Sequence, residues 1–161
     1  LDRAFFDFLA ARPSRREIMA EIEHVLYTCC DLKRMVVEED ELDTGKRMLL
    51  NFGHTLGHAY EKAGGYEKWT HGQAVAAGMV RAARLGETMG ITPAGTADRI
   101  AVLLAPLGLP VDIPCTGEEY AAAIGLDKKG AGADISVILL EELGHAIPHK
   151  MPKAALLEEL K

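Results

Sequence analysis

The chain has 161 residues, a length that suits one domain able to bury a hydrophobic core without disulfides or a structural metal. It carries 18 basic and 24 acidic side chains, for a formal net charge of −6, and it has no basic stripe, which argues against a nucleic-acid partner. Its apolar runs are far shorter than the roughly 20 residues that cross a bilayer, and it does not open on a signal-peptide pattern, so we expect a cytoplasmic protein without a membrane partner.

The first predicted element is a long helix. Ser14 is followed three residues later by Glu17, the capping-box arrangement that marks a helix start. Apolar side chains then recur at spacings of three and four residues as far as Val36. This periodicity predicts one uninterrupted amphipathic helix.

Three further helices are predicted between the acidic run 38–45 and Pro110. The first contains the apolar positions from Met48 to Tyr60 and stops at the glycine pair 64–65. The second extends from about Gly72 to Met89, and its many small residues predict a central position in a helical bundle. For the third, Thr92 or Thr96 is the expected N-cap.

The last part of the chain has a mixed pattern. A short helix is predicted over 116–126, and Pro152 suits the first position of a final helix. Between them, the β-branched run 135–140 and the segment 145–151 predict two short paired strands. We therefore predict a mainly α fold, a helical bundle with a short β-hairpin near the C-terminus, formed by residues 1–161 as a single domain.

The second helix carries an unusual polar stripe. Its members are spaced by four, three and four residues, which places them on one face of a helix: Arg47, Asn51, His54 and His58. Leucine and phenylalanine occupy the other faces. A cation, an amide and two imidazoles on one stripe favour a polar cavity that holds a ligand over burial in a core.

His71 follows the glycine pair 64–65 and directly precedes the next helix, so the turn can return it to this stripe. Neutral imidazoles on two helices suit zinc or another divalent ion. A catalytic zinc generally has three protein ligands. Candidates for the third are His58, Glu61 and the acidic run. The pair His54 and His58 has zincin-like spacing, but no glutamate lies between them.

Less specific interpretations also exist for these residues. Histidines on helices are commonly structural, and Arg47 could simply pair with the acidic run. Lys128 and Lys129 lie in a glycine-rich loop, where lysines usually face solvent, although such a loop can also fold over an anionic ligand. A non-catalytic helical module therefore remains an alternative.

The motifs "LLNFGHTLGHAYE" and "HGQAVAAGM", with "DELDTGKR" before them and "DKK" after them, closely resemble the C-terminal helical domain of the 3-dehydroquinate synthase family. The resemblance covers nearly the whole chain. It implies a two-domain shikimate-pathway enzyme whose N-terminal α/β domain binds NAD and whose helical domain binds a divalent metal, zinc or cobalt. It also implies a sugar-phosphate substrate, 3-deoxy-D-arabino-heptulosonate 7-phosphate, converted to 3-dehydroquinate and phosphate, and a homodimer.

The resemblance also implies roles for individual residues. His54 and His71 match the family's metal-binding histidines. His58 matches an active-site histidine that is not a ligand, and Lys33 matches a lysine on the preceding helix; we take both as catalytic. The residues that match substrate-binding positions are Arg47, Asn51 and Lys128 or Lys129.

Two departures from the family pattern affect these expectations. The family's third metal ligand is a glutamate in an "EVIK"-like segment that would lie ahead of Leu1, and the NAD-binding domain is likewise outside this chain. We therefore expect the chain alone to bind metal poorly and to be inactive. In addition, Asp43 stands where family members usually carry glutamate.

The nearest alternative is a related sugar-phosphate cyclase, such as a 2-deoxy-scyllo-inosose or valiolone synthase. These enzymes share the metal and NAD chemistry, but their substrates lack the carboxylate. Arg47 and Asn51 favour the carboxylate-bearing substrate. Iron-dependent alcohol and glycerol dehydrogenases share the architecture but have different motifs around the histidines.

Overall fold

The computed structural model describes residues 1–42, 45–125 and 134–160. Its elements are, in chain order, α1 (Arg3–Ala10), α2 (Arg15–Ala20), α3 (Ile22–Glu39), a 3-10 helix (Lys46–Asn51), α4 (His54–Ala63), α5 (His71–Thr88), α6 (Thr96–Leu104), a 3-10 helix (Ala105–Leu107), α7 (Gly117–Ala123), β1 (Asp134–Glu142), β2 (His145–Pro152) and α8 (Lys153–Glu159). The predicted fold class, mainly α with a C-terminal hairpin, is confirmed. No helix in the described ranges combines the length and apolar character needed to span a bilayer.

The predicted long first helix is in fact two helices. Ser14 caps α2 as expected, because its side chain accepts a hydrogen bond from the Glu17 amide. At Glu21 the backbone leaves helical geometry, with φ −110° and ψ 23°, and its amide donates to the Ile18 carbonyl. The apolar periodicity continues across this break, so the pattern could not reveal it. Along α3 only Val36 is buried.

The predicted second helix is also interrupted, and this corrects the single polar stripe. Gly53 has a left-handed backbone, φ 81°, and separates the 3-10 helix Lys46–Asn51 from α4. A Cβ atom at Gly53 would lie 2.7 Å from the backbone nitrogen of Met79. Glycine is therefore required here both by the backbone angle and by the close approach of α5. Arg47 and Asn51 lie on one helix, and His54 and His58 lie on the next.

The predicted central helix is confirmed as α5. It begins after a capping box formed by Thr70 and Gln73, and ten of its residues are buried. The predicted threonine caps of α6 are wrong, since Gly95 holds the N-cap position. The Thr96 hydroxyl instead donates to the Pro93 carbonyl, and the buried Thr92 hydroxyl donates to Leu140 on β1.

The remaining elements follow the prediction with small shifts. The helix expected over 116–126 is α7, which begins after a capping box on Thr116. Pro152 is the N-cap of the final helix and not its first residue. The strands β1 and β2 pair antiparallel as expected, from Asp134 opposite Pro152 to Leu140 opposite Ala146, with an irregularity before the turn.

The middle of strand β1 is buried on both of its faces. Because side chains alternate along a strand, Val137 and Leu139 enter one apolar cluster with Tyr60 of α4, while Ile138 and Leu140 enter a second. Helix α5 contributes residues to both clusters. The hairpin and α5 thus form the centre against which α4 is held.

Candidate metal and substrate site

The fold brings together the three histidines of the central motif. His54 and His58 lie on α4, and His71 is the first residue of α5. The ring centroids of His54 and His71 are 5.2 Å apart, and those of His58 lie 6.0 Å from His54 and 5.9 Å from His71. The expected return of His71 to the other two histidines is therefore seen in the structure.

Packing of α4 on α5 sets these distances. At Gly78 the two helices approach so closely that an added Cβ would lie 2.1 Å from the Gly53 carbonyl oxygen. Gly57 faces the backbone of Val75 at a similar crossing, where an added Cβ would lie 3.1 Å from Cα. Glycine on both helices thus allows His54 and His71 to lie near each other.

A carboxylate connects two of the imidazoles. Glu61 on α4 accepts a hydrogen bond from His58 Nδ1 at 2.7 Å and another from His71 Nδ1 at 3.0 Å. Only 12% of the Glu61 side chain is exposed, against 61% for His58 and 56% for His71. Partial burial opposes ionisation, but the hydrogen bonds from His58 and His71 outweigh it and lower the pKa of Glu61.

His54 is held by a different acceptor. Its Nδ1 lies 3.4 Å from the Phe52 carbonyl oxygen, which can only accept a hydrogen bond. Partial burial lowers the pKa of His54 and outweighs the hydrogen bond to Phe52, which favours the protonated ring; the nearby His71 and His58 act in the same direction as burial. The neutral ring with its proton on Nδ1 leaves the Nε2 lone pair for a metal ion.

Two cavities adjoin at His54 and Asn51. The larger, about 510 Å³, is also lined by Lys33 and Arg47. The smaller, about 280 Å³, is also lined by His58 and by Ser136 of β1. The predicted polar residues of the described chain other than His71 therefore line two adjoining cavities, although they do not share one helix. His71 lines neither cavity.

Arg47 is positioned by the acidic run. Its backbone amide donates to the Asp40 carboxylate at 2.9 Å, and its guanidinium donates to the Glu41 carbonyl at 3.0 Å. These contacts place the arginine beside the larger cavity. Lys33 reaches the same cavity from α3 with an exposed side chain.

The sequence did not identify every residue of the site. Ser136 lies in an apolar strand pattern, and no sequence signal indicated its place in a cavity. Glu61 was only one of several candidates for a third metal ligand. Lys128, Lys129 and Asp43, which the sequence also singled out, lie outside the described residues.

The donors of this site fit a divalent ion. Two imidazoles on one tetrahedral ion, bound at about 2.0–2.1 Å, have ring centres roughly 5 Å apart. The pair His54 and His71 matches this spacing best. A second combination is His58, Glu61 and His71, whose ligand atoms lie within 4.8 Å of one another. In this second set, however, each oxygen of the Glu61 carboxylate already accepts a hydrogen bond from a histidine.

The chain is similar to known proteins along most of its length. A family described as "3-dehydroquinate synthase C-terminal" matches residues 1–130. The 3-dehydroquinate synthase of Clostridium botulinum (strain Alaska E43 / Type E3) is 45% identical over 146 residues, which cover 90% of this chain and 42% of that protein. The enzyme of Streptococcus sanguinis (strain SK36) is 43% identical over 162 residues, covering 99% and 46%. The chain thus spans less than half the length of these relatives.

Solved structures of sugar-phosphate cyclases share the fold. A 2-deoxy-scyllo-inosose synthase complexed with carbaglucose-6-phosphate, NAD+ and Co2+ has a TM-score of 0.76 at 24% identity, covering 94% of this chain and 45% of the other. A 2-epi-5-epi-valiolone synthase from Streptomyces hygroscopicus subsp. jinggangensis 5008, with NAD+ and Zn2+ bound, has a TM-score of 0.66 at 20% identity, covering 96% and 45%.

Proposed function

The chain belongs to the 3-dehydroquinate synthase family, whose C-terminal region it matches, and we propose that it is the metal- and substrate-binding part of such an enzyme. The reaction is the conversion of 3-deoxy-D-arabino-heptulosonate 7-phosphate to 3-dehydroquinate and phosphate. One observation supports this most strongly. The histidine pair with metal-ligand spacing, His54 and His71, lies beside a cavity lined by Lys33, Arg47 and Asn51.

The rest of the enzyme follows from the same proposal. Residues 1–161 form one domain, and a separate α/β domain of the full-length protein binds most of the NAD. The divalent metal is zinc or cobalt, consistent with the cyclase structures that carry NAD+ with Co2+ or Zn2+. The enzyme is a cytoplasmic homodimer of the shikimate pathway, and the chain on its own is inactive.

His54 and His71 would hold the metal through Nε2, since the Nδ1 of each faces an oxygen acceptor. The third protein ligand is a glutamate elsewhere in the full-length protein. When bound, the metal would polarise a substrate hydroxyl, and NAD would accept the hydride from the carbon that bears this hydroxyl. The chain's own contribution is to orient the substrate against them and to move protons.

We assign the orientation of the substrate to the polar and positively charged residues that line the larger cavity. Arg47 can clamp the substrate carboxylate with two parallel N–H donors, and Asn51 can donate to an adjacent oxygen. Lys33, and Lys128 or Lys129, contribute positive charge for the phosphate. His58 donates a hydrogen bond from Nδ1 to Glu61, which leaves its Nε2 to exchange a proton with the substrate; we assign His58 as a catalytic residue on this basis.

The carboxylate clamp gives a direct test in the full-length protein. Arg47→Lys removes the two-donor fork but keeps the charge, so we expect KM for the heptulosonate phosphate to rise about 10–100-fold with a smaller change in kcat. Lys46→Ala is the matched control, because Lys46 is an exposed neighbouring cation that pairs with Glu39 and lines neither cavity. An unchanged KM in Arg47→Lys would contradict the assignment.

The second candidate is a cyclase that acts on a sugar phosphate without a carboxylate, which the shared fold with 2-deoxy-scyllo-inosose synthase favours. The two are separated by offering the full-length protein either the heptulosonate phosphate or a hexose 6-phosphate, with NAD and zinc. We expect phosphate release from the heptulosonate substrate. Release from the hexose phosphate alone would favour the second candidate.

A further inference from the structure

We propose that Glu61 is a positioning residue of the metal site, one that acts on two histidines at once. Its carboxylate fixes the ring orientation and tautomer of His71, the metal ligand on α5, and of His58, the proton-exchanging histidine on α4. This inference rests on the proposed function only in the roles it gives these histidines. The contacts that carry it are those of Glu61 itself.

The hydrogen bonds of Glu61 determine the tautomers of both rings. An ionised carboxylate only accepts hydrogen bonds, so the Nδ1 atoms at 3.0 Å and 2.7 Å must both carry protons. Each neutral ring then has its lone pair on Nε2. Histidine ligands in metal sites are commonly oriented in this way, by an oxygen acceptor on the second nitrogen.

Glu61 is much less exposed than the two histidines that it contacts. The Glu61 side chain is 12% exposed, whereas both histidine side chains are more than half exposed. An exposed side chain otherwise samples several rotamers, and holding it in one costs entropy. Glu61 therefore restricts His71, which belongs to a different helix, to the orientation in which it lies near His54.

The same contacts argue against Glu61 as a metal ligand. One carboxylate oxygen is used by each histidine. Direct ligation would need an oxygen at about 2.0–2.2 Å from the ion and would weaken at least one of these hydrogen bonds. Glutamine cannot replace the bridge, because its amide has a single oxygen acceptor and its NH₂ group can only donate.

The test uses Glu61→Gln and Glu61→Asp in the full-length protein, with zinc affinity measured by chelator competition and with cobalt as a spectroscopic probe. We expect Glu61→Gln to weaken zinc binding about 10–100-fold and to shift the absorption bands of bound cobalt. Glu61→Asp keeps the charge and both acceptors, so its loss should be smaller. Glu67→Gln is the control, because Glu67 is exposed in the turn after α4. Far-UV circular dichroism shows whether each variant is folded.

Several results would overturn the inference. One is unchanged zinc affinity and an unchanged cobalt spectrum in both folded Glu61 variants; another is a wild-type protein that binds no divalent ion. A crystal structure of the metal-loaded protein with a Glu61 oxygen within about 2.2 Å of the ion would make Glu61 a ligand instead. If the wild type binds metal but releases no phosphate, the proposed function fails while the effect of Glu61 on metal affinity is still measured.

Discussion

Replacement of His71 or His54 by alanine is expected to abolish stoichiometric metal binding in the full-length protein while the helical content stays intact. Each change removes one of the two metal ligands that we assign to this chain, and a catalytic zinc generally needs three from the protein. Bound zinc should fall from about one ion per chain to near zero, and phosphate release should stop. Metal content is measured by atomic emission after dialysis, with circular dichroism for the fold.

Alanine variants of two further histidines serve as comparisons in this experiment. His58→Ala should keep the metal and lose turnover, because we assign His58 to proton exchange. The opposite pattern, zinc lost in His58→Ala and kept in His54→Ala, would identify the alternative set of His58, Glu61 and His71. His145→Ala is the inert control, since His145 is exposed in the hairpin. Full zinc occupancy in both His54→Ala and His71→Ala would show that the ligand assignment is wrong.

Gly78→Ala is expected to have the largest effect on stability. The added Cβ would lie 2.1 Å from the Gly53 carbonyl oxygen and 2.9 Å from the Gly57 nitrogen, so backbone and not a flexible side chain would have to move. Overpacking of this kind should cost about 3 kcal/mol. It should also separate α4 from α5 and weaken metal binding, because His54 and His71 come from these two helices.

Gly72→Ala provides the matched control. Gly72 is near the exposed start of the same helix, and an added Cβ there would meet no atom within 4 Å. Alanine in a helix is favoured over glycine, so stability should stay the same or rise by up to about 1 kcal/mol. Urea unfolding and hydrogen exchange of the α4 and α5 amides measure both variants. Equal stability of Gly78→Ala and the wild type would contradict the close approach of the helices.

The sequence was sufficient for elements whose signals are local. The many small residues from about Gly72 to Met89 predicted α5, and the β-branched run 135–140 with the segment 145–151 predicted the hairpin. The breaks at Glu21 and Gly53 could not be predicted in the same way. Both leave the apolar periodicity intact, and the one at Gly53 reflects the approach of α5 in three dimensions.

For the site, too, the sequence predicted some features and the structure was needed for others. The motif spacing identified the histidines, and the glycine pair after α4 indicated that His71 could return to the other two. Which oxygen faces each ring depends on side-chain contacts between helices, so the bridge from Glu61 to His58 and His71 could be seen only in the structure. Ser136 lines the smaller cavity together with Asn51 and His54, which are distant in the sequence, and a strand pattern alone does not indicate such a contact.

The central claim is that this chain supplies the metal and substrate site of a 3-dehydroquinate synthase. It is tested most directly by phosphate release from 3-deoxy-D-arabino-heptulosonate 7-phosphate, using the full-length protein after metal removal and adding back NAD with zinc or cobalt. We predict release, with 3-dehydroquinate as the other product, only when NAD and a divalent metal are both present. No phosphate release with any divalent metal would contradict the claim and would favour a non-catalytic helical module.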